Sequence, residues 1–321
     1  MTTKMTALPA GFRDVLFDEA RTRRSVENRM ASVFERAGYR EVVPSGIESL
    51  DVYRKGHQSV LERAFRFLDR EDNLLALRAD FTPAIARIAA SRLSSVAPPI
   101  RLWYSGSVFR KIDPNHRGVA ELRQIGAELL GANSPEDDAE IVRVALECLA
   151  SAGINDVRIH VNHAGVFRGI VNAIGLEGHD LRRISSEIDR KDARGIESQL
   201  VRLGVGKEFQ AQVHALSSAI GGPEALTRAR KAIANAESLN AIGHLEEFAS
   251  LLGNWNETLV FDLAEIDEME YYTGIMLAFL SPRLNREIGK GGRYDGLVRE
   301  FGRDIPAVGF SFSVENLIEL L

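Results

Sequence analysis

The chain has 321 residues, of which 45% are hydrophobic and 26% are charged, and its formal net charge at pH 7 is −5. This length predicts two domains or one domain with an insertion, and the acidic balance argues against a general nucleic-acid-binding surface. The single cysteine, Cys148, excludes an internal disulfide. No apolar run approaches about 18 residues and no signal-peptide pattern is present, which favours a cytoplasmic protein without a membrane segment.

The first half of the chain is predicted to alternate between helices and short strands. Asp18 is expected to cap a helix that extends to Ala37, and Thr82 is expected to cap a second helix whose first position is Pro83. The first helix is predicted to bury one face, formed by Val26, Met30, Val33 and Phe34. Strands are predicted at residues 39–44, 64–68, 74–77, 100–104, 107–109 and 121–130.

The second half contains a long helical stretch between segments with strand character. A helix is predicted from Pro135 to Gly153, because Ser134 and the acidic residues that follow suit a helix start. Strands are predicted at residues 157–161, 259–263, 271–280, 286–288 and 307–312, followed by a helix over 314–321. The sequence thus predicts an α+β fold with a mostly antiparallel sheet, in which residues 1–163 and 253–321 form the core and residues 164–252 a helical insertion.

A glycine-rich stretch at residues 289–297, Gly-Lys-Gly-Gly-Arg-Tyr-Asp-Gly-Leu, is the first candidate for a binding site. Glycines let the backbone come close to a ligand, Arg293 can hold a carboxylate or phosphate, and Tyr294 offers a ring face and a hydroxyl. The alternative is a tight turn into a helix at residues 294–301. The upstream stretch 270–274, Glu-Tyr-Tyr-Thr-Gly, strengthens the binding interpretation.

Several stretches resemble the motifs of class II aminoacyl-tRNA synthetases in their histidyl version. Residues 101–110, Arg-Leu-Trp-Tyr-Ser-Gly-Ser-Val-Phe-Arg, and residues 124–128, Gln-Ile-Gly-Ala-Glu, look like motif 2. Residues 271–274 and 291–297 resemble the two histidine-specific signatures, residues 307–311 the start of motif 3, and residues 41–44 the end of motif 1. The resemblance implies an antiparallel sheet of about six strands, flanked by helices, in a homodimer whose interface includes motif 1.

The resemblance also implies a set of ligand-binding residues for histidine. Asp80, Thr82 and Gln124 fall where the family binds the α-amino group, and Glu128 falls where a carboxylate meets the imidazole. An ammonium group favours carboxylate and amide oxygens, and an imidazole N–H favours a charged acceptor. Taken singly, Glu128 could instead be a solvated strand residue and the tyrosines core residues. The full set is Asp80, Thr82, Arg110, Gln124, Glu128, Tyr271, Tyr272, Arg293 and Tyr294, and neither a metal nor a cofactor is expected.

The ATP-activating positions of the family are altered in this sequence. Asp267 stands where the family has its catalytic arginine, and Asn316 where motif 3 has the arginine that grips ATP. Carboxylates act in the wrong direction for phosphoryl chemistry, which depends on positive charge. Gly118 aligns with a further family arginine, for which Arg117 could substitute, whereas Arg110, the α-phosphate arginine, is retained. The chain also ends just after motif 3, without the family's anticodon-binding domain, so tRNA recognition is not expected.

Two hypotheses follow from the resemblance. The first is a non-catalytic regulatory subunit that resembles the regulatory subunits of ATP phosphoribosyltransferase. This family is implied to pair with a short-form catalytic subunit, activate it at the first step of histidine biosynthesis and confer feedback inhibition by L-histidine, in a hetero-octamer. The second is a truncated histidyl-tRNA synthetase or a related amino-acid-activating enzyme. Measurable ATP–pyrophosphate exchange with histidine would discriminate between them.

Overall fold

The computed structural model describes residues 7–55, 58–112, 119–266 and 272–321. The chain forms two compact units. The first comprises Met1–Gly131, Val144–Asn155 and Gly296–Leu321, and the second comprises Ala132–Arg143 and Asp156–Asp295. Within the described ranges, no helix has both the length and the apolar character that a bilayer crossing requires.

The first unit contains seven strands and several helices in its described residues. The strands are β1 (Arg40–Glu41), β2 (Ile47–Ser49), β3 (Arg66–Leu68), β4 (Leu74–Leu77), β5 (Ile100–Phe109), β6 (Glu121–Leu130) and β12 (Ala307–Ser313). The helices are α1 (Phe17–Arg36), α2 (Leu50–Arg54), α3 (Gln58–Arg63), α4 (Thr82–Ala90) and α12 (Val314–Glu319), with a 3-10 turn at Arg299–Phe301. Helix α5 (Pro135–Ala152) contributes residues to both units.

Four of these strands form the main sheet of the first unit, in the order β1-β5-β6-β12. β5 and β6 pair antiparallel along their whole length, β6 and β12 pair antiparallel, and β1 is parallel to β5. The predicted apolar face of α1 is confirmed, because Val26, Met30, Val33 and Phe34 are buried. The ring of Phe34 stacks on Trp103 of β5, which anchors α1 to the sheet.

A separate three-stranded antiparallel sheet, in the order β2-β4-β3, completes the first unit. The register pairs Ile47 with Leu77 and Phe67 with Leu75, so that these four apolar side chains share one face. None of the four is buried; Ile47 is 45% exposed and Phe67 is 37% exposed. This surface is called the apolar sheet face below.

The second unit contains a mixed sheet and a run of helices. Its strands are β7 (Arg158–His163), β8 (Ile220–Gly221), β9 (Leu259–Asp262), β10 (Ile275–Leu280) and β11 (Glu287–Arg293), in the order β11-β10-β7-β9-β8. β7 and β9 are parallel, and the other neighbours are antiparallel. The predicted helical stretch contains α6 (Ala164–Asn172), α7 (Gly178–Asp189), α8 (Ala193–Leu203), α9 (Lys207–Ser218), α10 (Pro223–Ala232) and α11 (Ala236–Leu252), followed by a 3-10 helix at Gly253–Thr258.

Several sequence expectations are wrong in detail. Asp18 does not cap α1; the N-cap is Leu16, without a side-chain cap bond, and Asp18 lies in the first turn. The stretch around Gly291 is not a loop before a helix, because it forms β11 and pairs with β10, and only a 3-10 turn occurs in residues 294–301. The expected sheet of about six strands does not match the main sheet of either unit, which has four strands in the first unit and five in the second. The α+β class with mostly antiparallel pairing is confirmed.

Candidate ligand-binding site

Glu128 of β6 is a carboxylate with only 1% of its surface exposed. Its Oε1 atom accepts hydrogen bonds from the Thr82 hydroxyl at 2.9 Å and from the Tyr104 hydroxyl at 3.2 Å. Burying a charge is costly unless hydrogen bonds replace its hydration. The two hydroxyl donors therefore hold a negative charge in the interior of the first unit, where it can attract a cationic or N–H-bearing ligand.

Thr82 has a different local role from the one that its sequence position predicts. The N-cap of α4 is Phe81, and no side chain caps this helix. The Thr82 hydroxyl instead donates to Glu128, and its backbone N–H donates to Asp80 Oδ1 at 3.0 Å. Thr82 thus joins two of the predicted ligand-binding carboxylates.

A glycine on the neighbouring strand β12 makes room for the Glu128 side chain. Gly309 of β12 lies opposite Glu128 in the β6–β12 register. A Cβ atom at this position would lie 1.5 Å from Glu128 Oε2, which no side chain could tolerate without displacing the carboxylate. Position 309 therefore requires glycine for close approach rather than for a special backbone conformation.

Tyr104, which the sequence analysis did not select, is part of this site. Its ring stacks on Phe81 at 4.2 Å between centroids, with 11° between the ring planes. Burial, and then the charge of Glu128, raises the pKa of the Tyr104 hydroxyl well above its ordinary value. The hydroxyl consequently remains protonated at neutral pH and can act as a donor to Glu128.

Asp80 and Arg110 form a half-buried ion pair beside Thr82. Arg110 Nη2 lies 3.0 Å from Asp80 Oδ2, and Arg110 Nε donates to the Ala79 carbonyl at 2.7 Å. Both oxygens of Asp80 thus have a protein partner. The arginine that the family resemblance assigns to an α-phosphate is bound here to Asp80 and to the backbone.

Gln124 supplies an acceptor that lacks a partner within the described part of the chain. Its Oε1 atom is buried and receives no hydrogen bond there. Gln124 lies four residues before Glu128 on β6, and side chains at even spacing point to the same face of a strand. A ligand that donates hydrogen bonds would satisfy this oxygen, because a buried carbonyl without a partner is costly.

In the second unit, the glycine-rich strand β11 lies beside Tyr272. A Cβ atom at Gly292 would lie 2.6 Å from Cε1 of Tyr272, so the glycine accommodates the ring. Tyr272 and Tyr294 are both buried. Tyr271, Asp267, Arg117 and Gly118, on which other sequence predictions rest, lie outside the described residues.

Arg293 is engaged inside the second unit. Its Nε and Nη2 atoms both donate to Asp138 Oδ1, at 3.1 and 2.7 Å, and Nη1 donates to the Ala132 carbonyl at 2.8 Å. The other carboxylate oxygen of Asp138 lies 2.7 Å from His244 Nε2. This Arg293–Asp138–His244 cluster braces the chain next to Tyr294, whereas a direct ligand contact by Arg293 stays a prediction.

Asp138 and His244 were not found by sequence reasoning. Asp138 follows the acidic residues Glu136 and Asp137 at the start of a helix, where a favourable interaction with the helix dipole is a sufficient explanation for acids. No sequence signal links it to Arg293, which lies 155 positions away. Tyr104 lies within the motif 2 stretch. It pairs with Gly126, midway between Gln124 and Glu128 on β6, so an antiparallel pairing of the two predicted strands would have placed it on the same face as these residues.

Comparison of this chain with known proteins shows the family to which it belongs. The model of the family described as Histidyl-tRNA synthetase matches residues 11–317. A protein of Syntrophotalea carbinolica, named ATP phosphoribosyltransferase regulatory subunit, is 33% identical over 100% of this chain and 76% of its own length.

Two solved structures support the same relationship. The Bacillus halodurans structure described as an ATP phosphoribosyltransferase regulatory subunit/histidyl-tRNA synthetase has a TM-score of 0.92 and 28% identity, covering 100% of this chain and 84% of that one. A histidine–tRNA ligase subunit of Alicyclobacillus acidocaldarius has a TM-score of 0.80 and 27% identity, covering 99% and 98%. The class II synthetase-like fold is therefore shown.

Proposed function

We propose, because this chain belongs to the family of ATP phosphoribosyltransferase regulatory subunits within the histidyl-tRNA synthetase group, that it regulates that enzyme and is not itself catalytic. In this proposal it activates a short-form catalytic subunit at the first step of L-histidine biosynthesis and helps confer feedback inhibition by histidine. The observation that carries the proposal is the similarity to regulatory subunits over the full length of the chain, not only in the ligand-binding motifs.

The geometry around Glu128 supports histidine as the regulatory ligand. The buried carboxylate suits an imidazole N–H, and the Gln124 carbonyl oxygen suits an ammonium group. The proposed contacts in the first unit are Asp80, Thr82, Arg110, Gln124 and Glu128. Tyr271, Tyr272, Arg293 and Tyr294 are kept as proposed ligand residues on the family resemblance alone.

Loss of synthetase chemistry is the second part of the proposal. Asn316 on α12 is neutral where the family has an arginine that grips ATP, and Asp267 brings a negative charge where the family has a positive one. Arg110, the retained phosphate arginine, is already paired with Asp80. Fewer cationic groups would remain to stabilise the charge that develops on a reacting triphosphate.

Regulation by histidine follows from differential binding. A ligand shifts a conformational equilibrium only by as much as its affinity differs between the two states. We propose that histidine binds this subunit more tightly when the complex is in its less active state. By linkage, the catalytic subunit in that state would raise the histidine affinity of this chain by the same factor.

The apolar sheet face supports self-association. Ile47, Phe67, Leu75 and Leu77 form a contiguous apolar surface, and surfaces of this kind mark interaction sites. We propose that a second copy of this chain covers it and that the dimer is the core of a hetero-octamer with the catalytic subunit. The partners in this assembly are the catalytic subunit, a second copy of the chain and L-histidine, without tRNA or membrane.

The proposal is tested by assaying a short-form ATP phosphoribosyltransferase catalytic subunit with and without this chain while histidine is titrated. We expect activity to rise when the chain is added and to fall again as histidine is added. Unchanged activity, together with the absence of a complex on size-exclusion chromatography, would contradict the regulatory function. Histidine binding to the isolated chain, measured by calorimetry, separates failure of the ligand assignment from failure of the partner assignment.

A second candidate is an amino-acid-activating enzyme, favoured by the match to the histidyl-tRNA synthetase family and to the Alicyclobacillus acidocaldarius ligase subunit. It predicts histidine-dependent ATP–pyrophosphate exchange. We expect no exchange above a mock preparation, and exchange that is abolished by Arg110→Ala would establish the second candidate instead.

A further inference from the structure

A polar cleft in the second unit plays no part in the proposed recognition of histidine. Four carboxylates, two lysine ammonium groups and the imidazole of His160 line it. The four carboxylates and two ammonium groups alone give a net charge of −2. A concentration of negative charge in a concave surface raises the local concentration of cations, and a divalent cation would neutralise this excess.

Three side chains in the cleft have the arrangement of metal ligands. His160 Nδ1 lies 3.9 Å from Asp262 Oδ2 and 3.7 Å from Glu265 Oε2. The three ligand atoms all lie within 4.8 Å of one another. These separations are too long for hydrogen bonds. The two distances from His160 are close to the separation of about 3.4 Å between ligand atoms that bind one tetrahedral Zn²⁺ at about 2.1 Å.

One hydrogen bond orients the Asp262 carboxylate, and a second holds the backbone at Glu265. Asp262, at the end of β9, accepts the backbone N–H of Ala264 on Oδ1 at 3.2 Å, which leaves Oδ2 toward His160. Asn162 Nδ2 donates to the Glu265 carbonyl at 2.8 Å and fixes the chain at the third ligand. Outer hydrogen bonds of this kind position the ligands of metal sites and strengthen metal binding.

Lys191 occupies the position of a counter-cation. Its ammonium group contacts Asp262 Oδ2, the same oxygen that faces His160. The Asp262 side chain is almost fully buried, whereas Lys191 is 44% exposed and follows the end of α7. The lysine can therefore leave the carboxylate at little steric cost, so that its ammonium group competes with a metal ion rather than blocking it.

From these contacts we propose that His160, Asp262 and Glu265 form a site for a divalent transition-metal ion of the Zn²⁺ type. One imidazole nitrogen and two carboxylate oxygens suit Zn²⁺, and water would complete the coordination. The sequence analysis expected no metal, because His160 and Asp262 lie on different strands, β7 and β9, and no local spacing links them. The proposal does not depend on histidine recognition.

Zn²⁺ titration of the tag-free, EDTA-treated full chain by isothermal titration calorimetry tests the site, with Co²⁺ absorption as a second readout. We expect one saturable equivalent per chain. His160→Ala and Glu265→Gln should each weaken Zn²⁺ binding by about tenfold or more. Lys191→Ala should tighten it, because the competing ammonium group is removed.

Glu287→Gln is the matched control, since it removes a carboxylate of the same cleft that is not among the three ligands. It should weaken Zn²⁺ binding by much less than Glu265→Gln. Equal effects of the two glutamate variants would mean that Zn²⁺ is attracted by the general negative charge of the cleft rather than by three specific ligands, and would overturn the proposal. So would the absence of saturable binding in both the wild-type chain and Lys191→Ala. Thermal unfolding without metal identifies any variant that fails to fold.

Discussion

At the residue scale, Glu128 is a buried carboxylate that packs closely against Gly309 of the neighbouring strand. Its Oε1 atom receives two hydroxyl donors, and Oε2 lies where glycine alone is tolerated on the next strand. Hydrogen bonds to a charged group contribute about 1.5–3 kcal/mol each, so the two donors offset much of the cost of burial. The same arrangement fixes the position of the carboxylate at the proposed ligand site.

Glu128→Gln is predicted to weaken histidine binding by about tenfold or more, because a charged acceptor is replaced by a neutral one. The glutamine Oε1 atom can still accept from Thr82 and Tyr104, so the variant should fold. Calorimetric titration with histidine measures the effect. Glu121→Gln, the same substitution at the start of the same strand, is the control. Equal affinity of both variants would remove Glu128 from the ligand site.

His163 is expected to lower the free energy of unfolding in acid. Burial, and then the neighbouring His244, lowers the pKa of His163 from 6.5 to about 3. Between these two values the unfolded chain binds a proton that the folded chain excludes, so the free energy of unfolding falls as the pH decreases from 6.5 toward 3. The slope contributed by one such group reaches about 1.4 kcal/mol per pH unit.

Urea unfolding of His163→Asn across pH 4 to 7, compared with the wild type, measures this contribution. Asparagine can accept the Gly165 N–H that His163 Nδ1 now accepts, at the N-cap of α6. The variant should therefore show a shallower decline in acid, whereas His179→Gln, at an exposed histidine, should retain the wild-type slope. Parallel curves for all three proteins would refute the assignment.

At the element scale, the pairing of β6 with β12 builds the wall of the ligand site. Gly309→Ala is predicted to lower the free energy of unfolding by about 1–3 kcal/mol, because the added methyl group must displace the Glu128 carboxylate. Histidine binding should be lost at the same time. Gly296→Ala is the control, since a Cβ atom there meets open space. Denaturant unfolding and histidine calorimetry check both variants.

The contacts of α5 with β11 and α11 depend on one buried charge. Asp138 is fully buried between Arg293 and His244, and Arg293 is only 3% exposed. Asp138→Asn removes the buried counter-charge of the guanidinium, leaves only the partly exposed Asp295 beside it, and is predicted to destabilise the fold by about 3 kcal/mol. Glu136→Gln, at an exposed acid of the same helical turn, should have little effect. A change below about 1 kcal/mol for Asp138→Asn would contradict the bracing role.

Elements with clear periodicity could be predicted from the sequence, and long-range pairings could not. The bounds of β6 are confirmed at Glu121–Leu130, and α5 ends next to Gly153 as predicted. The glycines of β11 suggested a turn in the sequence, whereas Gly292 lies in a strand and accommodates the ring of Tyr272. Thr82 and Glu128 were both selected as ligand residues, but their mutual hydrogen bond across 46 positions has no sequence signal.

At the scale of the whole molecule, the apolar sheet face determines the expected assembly. Phe67→Lys places a charge on the face that we propose to be covered by a second copy, and desolvating that charge would be costly. The variant is predicted to sediment as a monomer in analytical ultracentrifugation. Leu68→Lys is the control, because Leu68 is the next residue on the same strand and points to the opposite face. If both variants are monomeric, or if Phe67→Lys remains a dimer, the apolar sheet face is not the specific interface.

The β6–β12 pairing has a consequence for protein synthesis. Arg123 of β6 bonds to Glu315, 192 positions later, and Gly309 lies opposite Glu128 on the strand just before it. While the ribosome translates the intervening residues, β6 of the nascent chain has no partner on that edge, and unpaired edges invite aggregation. The proposed ligand site around Glu128 cannot form until β12 has left the exit tunnel. A ligand that needs Gly309 beside Glu128 can therefore bind only after β12 has been synthesised, long after β6 itself was made.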